Sequence, residues 1–225
     1  LIWWQYLPAI QRIVELLRVS GPQKSTRVDE GQSHGSFDSP IGRYLRLNLH
    51  GEEHRIYVEE AGSGIPLLLQ HTAGSHGVQW RHLFESTQIT DNFRLIAYDL
   101  PFHGKSVPPV GRDWWAEEYR LEGGFLRSVP LAISDALKLK KPVFMGCSVG
   151  GLLALDLAVE HPDVFRAVIA VEGALHIGGS MKGLEGFWHP QVSNETKARM
   201  MEGLTAPSSP LAYRKETIQT YAAGW

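Results

Sequence analysis

Pro142-Val143-Phe144-Met145-Gly146-Cys147-Ser148-Val149-Gly150-Gly151-Leu152-Leu153-Ala154-Leu155 is the stretch on which the reading of this chain turns. Residues 142–145 form a short apolar run of strand character, and the residues from 149 onward read as a helix. Between them Gly146-Cys147-Ser148-Val149-Gly150 fits the pattern G-x-S-x-G, which has meaning only as a strand-turn-helix. So short a connection turns sharply and forces strained backbone at the serine, while the flanking glycines let strand and helix approach without side-chain clashes. The turn lifts the hydroxyl above the carboxyl end of a sheet, where ligands bind in open α/β folds. The helix N-terminus adds unpaired N–H groups that favour a developing oxyanion. Gly31-Gln32-Ser33-His34-Gly35 fits the same pattern but lies in a polar stretch with no strand before it and no helix after it, so Ser33 is a decoy.

Outward from this turn, short apolar runs alternate with helical patterns. Residues 43–49 and 54–59 read as a hairpin, and 65–69, 93–98, 142–145 and 165–171 read as strands. Residues 80–87 and 149–160 have helical character, as does the long stretch 114–139, interrupted by Gly123, Gly124 and Pro130. Strands alternating with helices predict a mostly parallel sheet covered on both faces, an α/β fold. Before it, residues 1–19 carry Trp3, Leu7, Ile10, Val14 and Leu17 at helical spacing, and residues 20–40 read as a linker. After it, residues 172–225 hold helical patterns at 194–204 and 209–223 and no strand comparable to the others, a helical excursion from the core at 41–171.

Composition excludes several function classes. The chain has 225 residues, with 22 basic against 24 acidic side chains and a net charge of −2, so it is no default nucleic-acid binder. Its single Cys rules out a disulfide framework or a Cys-based zinc site within the chain. No apolar run reaches the roughly 18 residues that a membrane span needs. Gly62-Ser63-Gly64 is a short turn that fails the phosphate-cradle fingerprint, and the histidines show no metal spacing, so neither cofactor nor metal is expected. With no targeting signal read, localisation defaults to the cytoplasm, and the expected partner is a small-molecule substrate.

From about Gly42 onward the chain resembles the α/β-hydrolase superfamily, in its serine-nucleophile group with a helical cap after the sixth strand. Three motifs carry the resemblance in order. His71-Thr72-Ala73-Gly74 follows the third strand like the family's His-Gly oxyanion loop; Asp99-Leu100-Pro101-Phe102-His103-Gly104-Lys105-Ser106 follows the fourth like its Asp-x-x-Gly-His-Gly-x-Ser loop; the turn at Ser148 is the third. The resemblance implies strands one to six of the family's sheet, flanked by helices, and the start of a cap. It makes Ser148 the nucleophile and the backbone N–H groups of Ala73 and Val149 the oxyanion donors. Thr72, Trp188 and His189 become candidates for lining a substrate pocket. Two positions depart from the family: Thr72 and Phe102 stand where Gly is common. His71 reads as a loop anchor, Asp99 and His103 as hydrogen-bonding groups of their own turn, and Cys147 as a small buried packing residue.

A serine hydroxyl needs a base, and the base an orienting acid. Glu172, at the end of the sixth strand, is a candidate acid, since some family members place theirs near there. His176 does not match the family's histidine position. The reading is therefore of a fragment that starts at Leu1, stops in the cap before strands seven and eight, has its base beyond Trp225, and is inactive and poorly soluble by itself. The expected function is hydrolysis of a carboxylic ester or related acyl compound through a serine acyl-enzyme. The alternatives are a non-catalytic ligand-binding member of the fold and carbon–carbon hydrolysis of a diketone. Dehalogenases and epoxide hydrolases of this fold use Asp at the turn, which Ser148 argues against.

Overall fold

A computed structural model describes residues 37–106, 108–109, 111–116, 122–174, 191–203 and 205–224. The expected N-terminal helix, most of the expected linker, Ser33, His176, Trp188 and His189 lie outside the described residues.

Six strands form one sheet in the order β1-β2-β4-β3-β5-β6: β1 (Ile41–Leu49), β2 (Glu52–Gly62), β3 (Ile65–Gln70), β4 (Phe93–Tyr98), β5 (Val143–Cys147) and β6 (Ala167–Val171). β1 and β2 form an antiparallel hairpin, and β2 runs antiparallel to β4. β4, β3, β5 and β6 run parallel, so their carboxyl ends open on the same rim. The β2–β3 turn uses Gly62 and Gly64 at φ 81° and 106°. A Cβ at Gly64 would stand 2.3 Å from the Asn92 carbonyl oxygen, so glycine is required there on two counts.

Because β3, β4 and β5 are buried on both faces, they read as continuous apolar runs rather than alternating ones. One face packs Leu67, Leu69, Leu95 and Met145 against Trp80, Leu83 and Ile89. The other packs Leu68, Ile96 and Phe144 against Val129, Ile133, Leu153 and Leu157. The first face is covered by a 3-10 turn at Gly77–Trp80, α1 (Arg81–Phe84) and α2 (Thr87–Thr90), and the second by α3 (Gly123–Ala136) and α4 (Val149–Glu160). α5 (Asn194–Glu202) and α6 (Leu211–Gly224) follow β6.

Two helix expectations need correction. The run at 80–87 is helical over α1 only, and after a break at Glu85–Ser86 its last residue, Thr87, begins α2. Among the described residues of 114–139 there are a 3-10 turn at Trp114–Ala116 and α3, which begins at Gly123. Pro130 lies inside α3 instead of interrupting it. An interior proline costs about 3 kcal/mol. Leu126, Val129 and Ile133 are buried on the same helix, each stabilising by about 1.5–3 kcal/mol, and together outweigh that cost.

Candidate active site

Ser148 stands between β5 and α4 with φ 54° and ψ −108°. This is the strained turn that the sequence requires, and three glycines make it sterically possible. A Cβ at Gly146 would lie 2.2 Å from the Gly150 carbonyl oxygen, and one at Gly151 would lie 2.5 Å from that of Val171. At Gly150 it would meet the Gln70 carbonyl oxygen at 3.0 Å. The Ser148 amide donates to the Val171 carbonyl at 2.9 Å, and the Leu152 amide closes the first helical turn on the Ser148 carbonyl at 2.8 Å. The amides of Val149 and Gly150 have no acceptor within the helix, as in any first turn.

The loop after β3 is held peptide by peptide. The Thr72 amide donates to Gln79 Oε1 at 2.7 Å. The Thr72 carbonyl accepts from His71 Nδ1 at 2.7 Å and from the Ser75 amide at 3.2 Å. In a trans peptide the N–H points away from the C=O, so these two bonds also set the direction of the Ala73 N–H. His71 Nε2 accepts from the Leu100 amide at 3.0 Å, which fixes the neutral tautomer with its proton on Nδ1. Burial, with His103 and His76 nearby, holds its pKa well below the usual imidazole value. Both ring nitrogens are thus engaged in anchoring the loop. Thr72 keeps φ outside the left-handed region, so a side chain is tolerated where the family often has Gly.

The second loop shows the opposite outcome. Phe102 takes φ 67°, a conformation that favours glycine, and its ring packs edge-on against His54 and Trp114. Asp99 is buried and accepts from the Gly77 amide at 2.6 Å and the Lys105 amide at 2.7 Å. His103 Nδ1 bonds the Pro101 carbonyl at 2.9 Å, within the same turn.

Cys147 is fully buried, and burial together with the Glu172 carboxylate pushes its thiol up to about 12, so it stays protonated. Glu172 is exposed at the end of β6, with φ 53°, and its Oε2 accepts from Cys147 Sγ at 3.9 Å. Among the described residues no histidine is hydrogen-bonded to Ser148 or Glu172.

Two residues at the site were not read from the sequence. Gln79 has no local signal, because its partner Thr72 is set by the fold. Tyr221 did leave one: Tyr213, Thr217 and Tyr221 recur every fourth residue along α6. Tyr221 is buried. Burial pushes its phenol up. A cavity of about 70 Å³ between α6 and the loop is lined by Thr72, Gln79, Arg81, Tyr213, Thr217 and Tyr221 among others; Ser148 does not line it. The Arg81 guanidinium meets the Glu216 carboxylate with both nitrogens, one at 2.9 Å, pinning α6 above the cavity.

Comparison with known proteins bears on the fold and the family. The chain is 25% identical over 167 residues to a 2-hydroxymuconate semialdehyde hydrolase of Pseudomonas sp. (strain CF600), covering 72% of this chain and 52% of that one. It is 31% identical over 112 residues to 3-oxoadipate enol-lactonase 2 of Acinetobacter baylyi, covering 50% and 38%. The chain therefore spans about half or less of the length of these curated relatives. The solved structure of a hydrolase from Pseudomonas aeruginosa PA01 superposes with a TM-score of 0.61 at 18% identity, covering 80% of this chain and 72% of that one. No helix among the described residues is long and apolar enough to cross a membrane. Residues 65–202, from β3 through α5, match the model of the alpha/beta hydrolase fold, and the chain belongs to that family.

Proposed function

We propose that the protein is a serine hydrolase acting on a carboxylic ester or related acyl compound. The observation that carries this reading is Ser148 at φ 54° on the β5–α4 turn, at the N-terminus of α4. In the proposed reaction the Ser148 oxygen attacks the acyl carbon, and its proton passes to a histidine base of the kind the family resemblance implies. The charged oxygen of the tetrahedral intermediate is met by the N–H groups of Val149 and Ala73, each such donor contributing about 10²–10³ in rate. The C–O bond to the leaving group breaks, the alcohol departs with the proton, and an acyl-serine remains. Water, deprotonated by the same base, attacks the acyl carbon and releases the acid. Glu172 is the candidate orienting acid. Thr72 borders the substrate on the α6 side, with Trp188 and His189 as further candidates for the pocket.

A second reading, hydrolysis of a carbon–carbon bond in a diketone, is favoured by the relative named 2-hydroxymuconate semialdehyde hydrolase. It uses the same nucleophile and donors and differs in the bond that breaks.

The test is treatment of the full protein that carries this chain with a fluorophosphonate, followed by peptide mapping. The expected result is one adduct, on Ser148, absent from Ser148→Ala. An adduct on Cys147, or none, refutes the reading. Turnover of short-chain esters against diketones then separates the two substrate classes.

A further inference from the structure

The two oxyanion donors come from different strand ends. Ala73 follows β3, Val149 follows β5, and the β3–β5 ladder stops at the pair Gln70–Gly146. Past that pair the backbones part, one into a loop and the other into the turn at Ser148. A donor pair is effective only when held within about 0.5 Å of the productive geometry. The β3 loop therefore needs an anchor of its own beyond the ladder.

The Gln79 side chain supplies it. Its Oε1 accepts the Thr72 amide at 2.7 Å, one peptide before the Ala73 donor. Gln79 is itself well anchored. Its 3-10 turn is capped by His76, the Gly77 amide donates to buried Asp99 at 2.6 Å, and Trp80 next to it is 1% exposed in the core. The side-chain amide thus reaches the β3 loop from a rigid base.

We infer that Gln79 is a positioning residue that clamps the β3 loop to its rigid 3-10 turn and so sets where the Ala73 N–H stands relative to the Val149 donor. The role rests on the serine-hydrolase reading. Gln79 fixes the peptide before Thr72, as His71 and Ser75 fix the one after it. Without Gln79 the Thr72 amide loses its acceptor, and the loop can rotate about its own residues while the core beneath stays intact.

The test is Gln79→Met, which is nearly isosteric but offers neither acceptor nor donor. It is made in the full protein, with a p-nitrophenyl ester of a short acid as substrate and a fluorophosphonate as probe. A displacement of about 1 Å costs on the order of 10² in rate. Expected are a fall in kcat and in the phosphonylation rate of about 10–100-fold and a KM within about threefold, the pattern of an interaction realised in the transition state. Unchanged kcat and labelling in folded Gln79→Met overturn the inference and leave the Ser148 reading standing. A raised KM with unchanged kcat overturns it too, by making Gln79 a substrate contact. A wild-type protein that neither labels nor turns over overturns both. Should Gln79→Met fail to fold, hydrogen exchange of the wild-type Thr72 amide decides: strong protection supports the clamp, and exchange as fast as in an open loop overturns it.

Discussion

Substituting Gly151 by alanine places a methyl group where α4 crosses the end of β6. The added Cβ stands 2.5 Å from the Val171 carbonyl oxygen, 0.9 Å short of the 3.4 Å of an ordinary contact, and also meets the Gly173 amide nitrogen at 2.9 Å. Both obstacles are backbone, so no side chain can swing away. The Val171 carbonyl also holds the Ser148 amide, so relief must move the very group that supports the turn. Overpacking of this kind costs about 1–3 kcal/mol, offset by about 1 kcal/mol of helix propensity. Gly124→Ala is the matched control: it lies in the first turn of α3, and its Cβ meets nothing within 4 Å. That change gains about 0.5–1 kcal/mol. The two variants should therefore differ by about 2 kcal/mol, or roughly 4–8 °C in melting temperature for a domain of this size. Calorimetry measures the difference. If Gly151→Ala melts at or above Gly124→Ala, the close approach of α4 to β6 is wrong and so is the steric account of the turn.

Acid should weaken the fold through His71 and His103, whose pKa values are lowered chiefly by burial. The unfolded chain then binds protons first, so stability is full above about pH 6.5 and falls as pH drops from there toward the lowered folded values. Urea midpoints at pH 7.5 and 5.5 that coincide would refute this. Cys147, with its thiol pushed up to about 12, should resist iodoacetamide at pH 8 in the native chain and react once urea unfolds it; rapid native alkylation would contradict its burial. Tyr98→Phe removes the hydroxyl that donates to Gln70 Oε1 at 2.6 Å, leaving a buried amide whose Nε2 has no partner among the described residues. Urea unfolding should show a loss of about 1–3 kcal/mol, and a neutral result would mean that the amide finds another partner.

The turn at Ser148 was legible because everything it needs is local: an apolar strand, a glycine on each side and a helix, all inside one short stretch. The parallel sheet was legible because double-sided burial leaves uninterrupted apolar runs. Helix limits were less so. The stretch from Trp114 to Leu139 reads as largely helical with interruptions at Gly123, Gly124 and Pro130, yet α3 starts at Gly123 and runs through Pro130, because packing on the core decides the matter and propensity does not. Phe102 shows how a departure from the family pattern can be absorbed: it keeps a glycine-like φ of 67° and packs its ring on His54 and Trp114. Gln79 was invisible because its meaning lies in what stands opposite it after folding. No spacing rule links position 79 to an amide at 72.

Ser148 and Glu172 occupy the same step past a paired register, since Cys147 pairs with Val171. Both take positive φ, 54° and 53°. Conformations of this kind cost about 1–3 kcal/mol for each non-glycine residue and persist only where the surroundings over-determine them. Here the surroundings are shared: the Ser148 amide bonds the Val171 carbonyl, while Gly151 and Gly173 let α4 close over both strand ends. Relaxing either residue would break the bond that holds the other, so the two strained positions stand or fall together. β6 is an edge strand of the described sheet, and four of its five residues are only half-buried. The stiffness of the Ser148 turn therefore depends on how firmly β6 is held against β5. Whatever covers that edge acts on the presentation of the Ser148 hydroxyl without touching it.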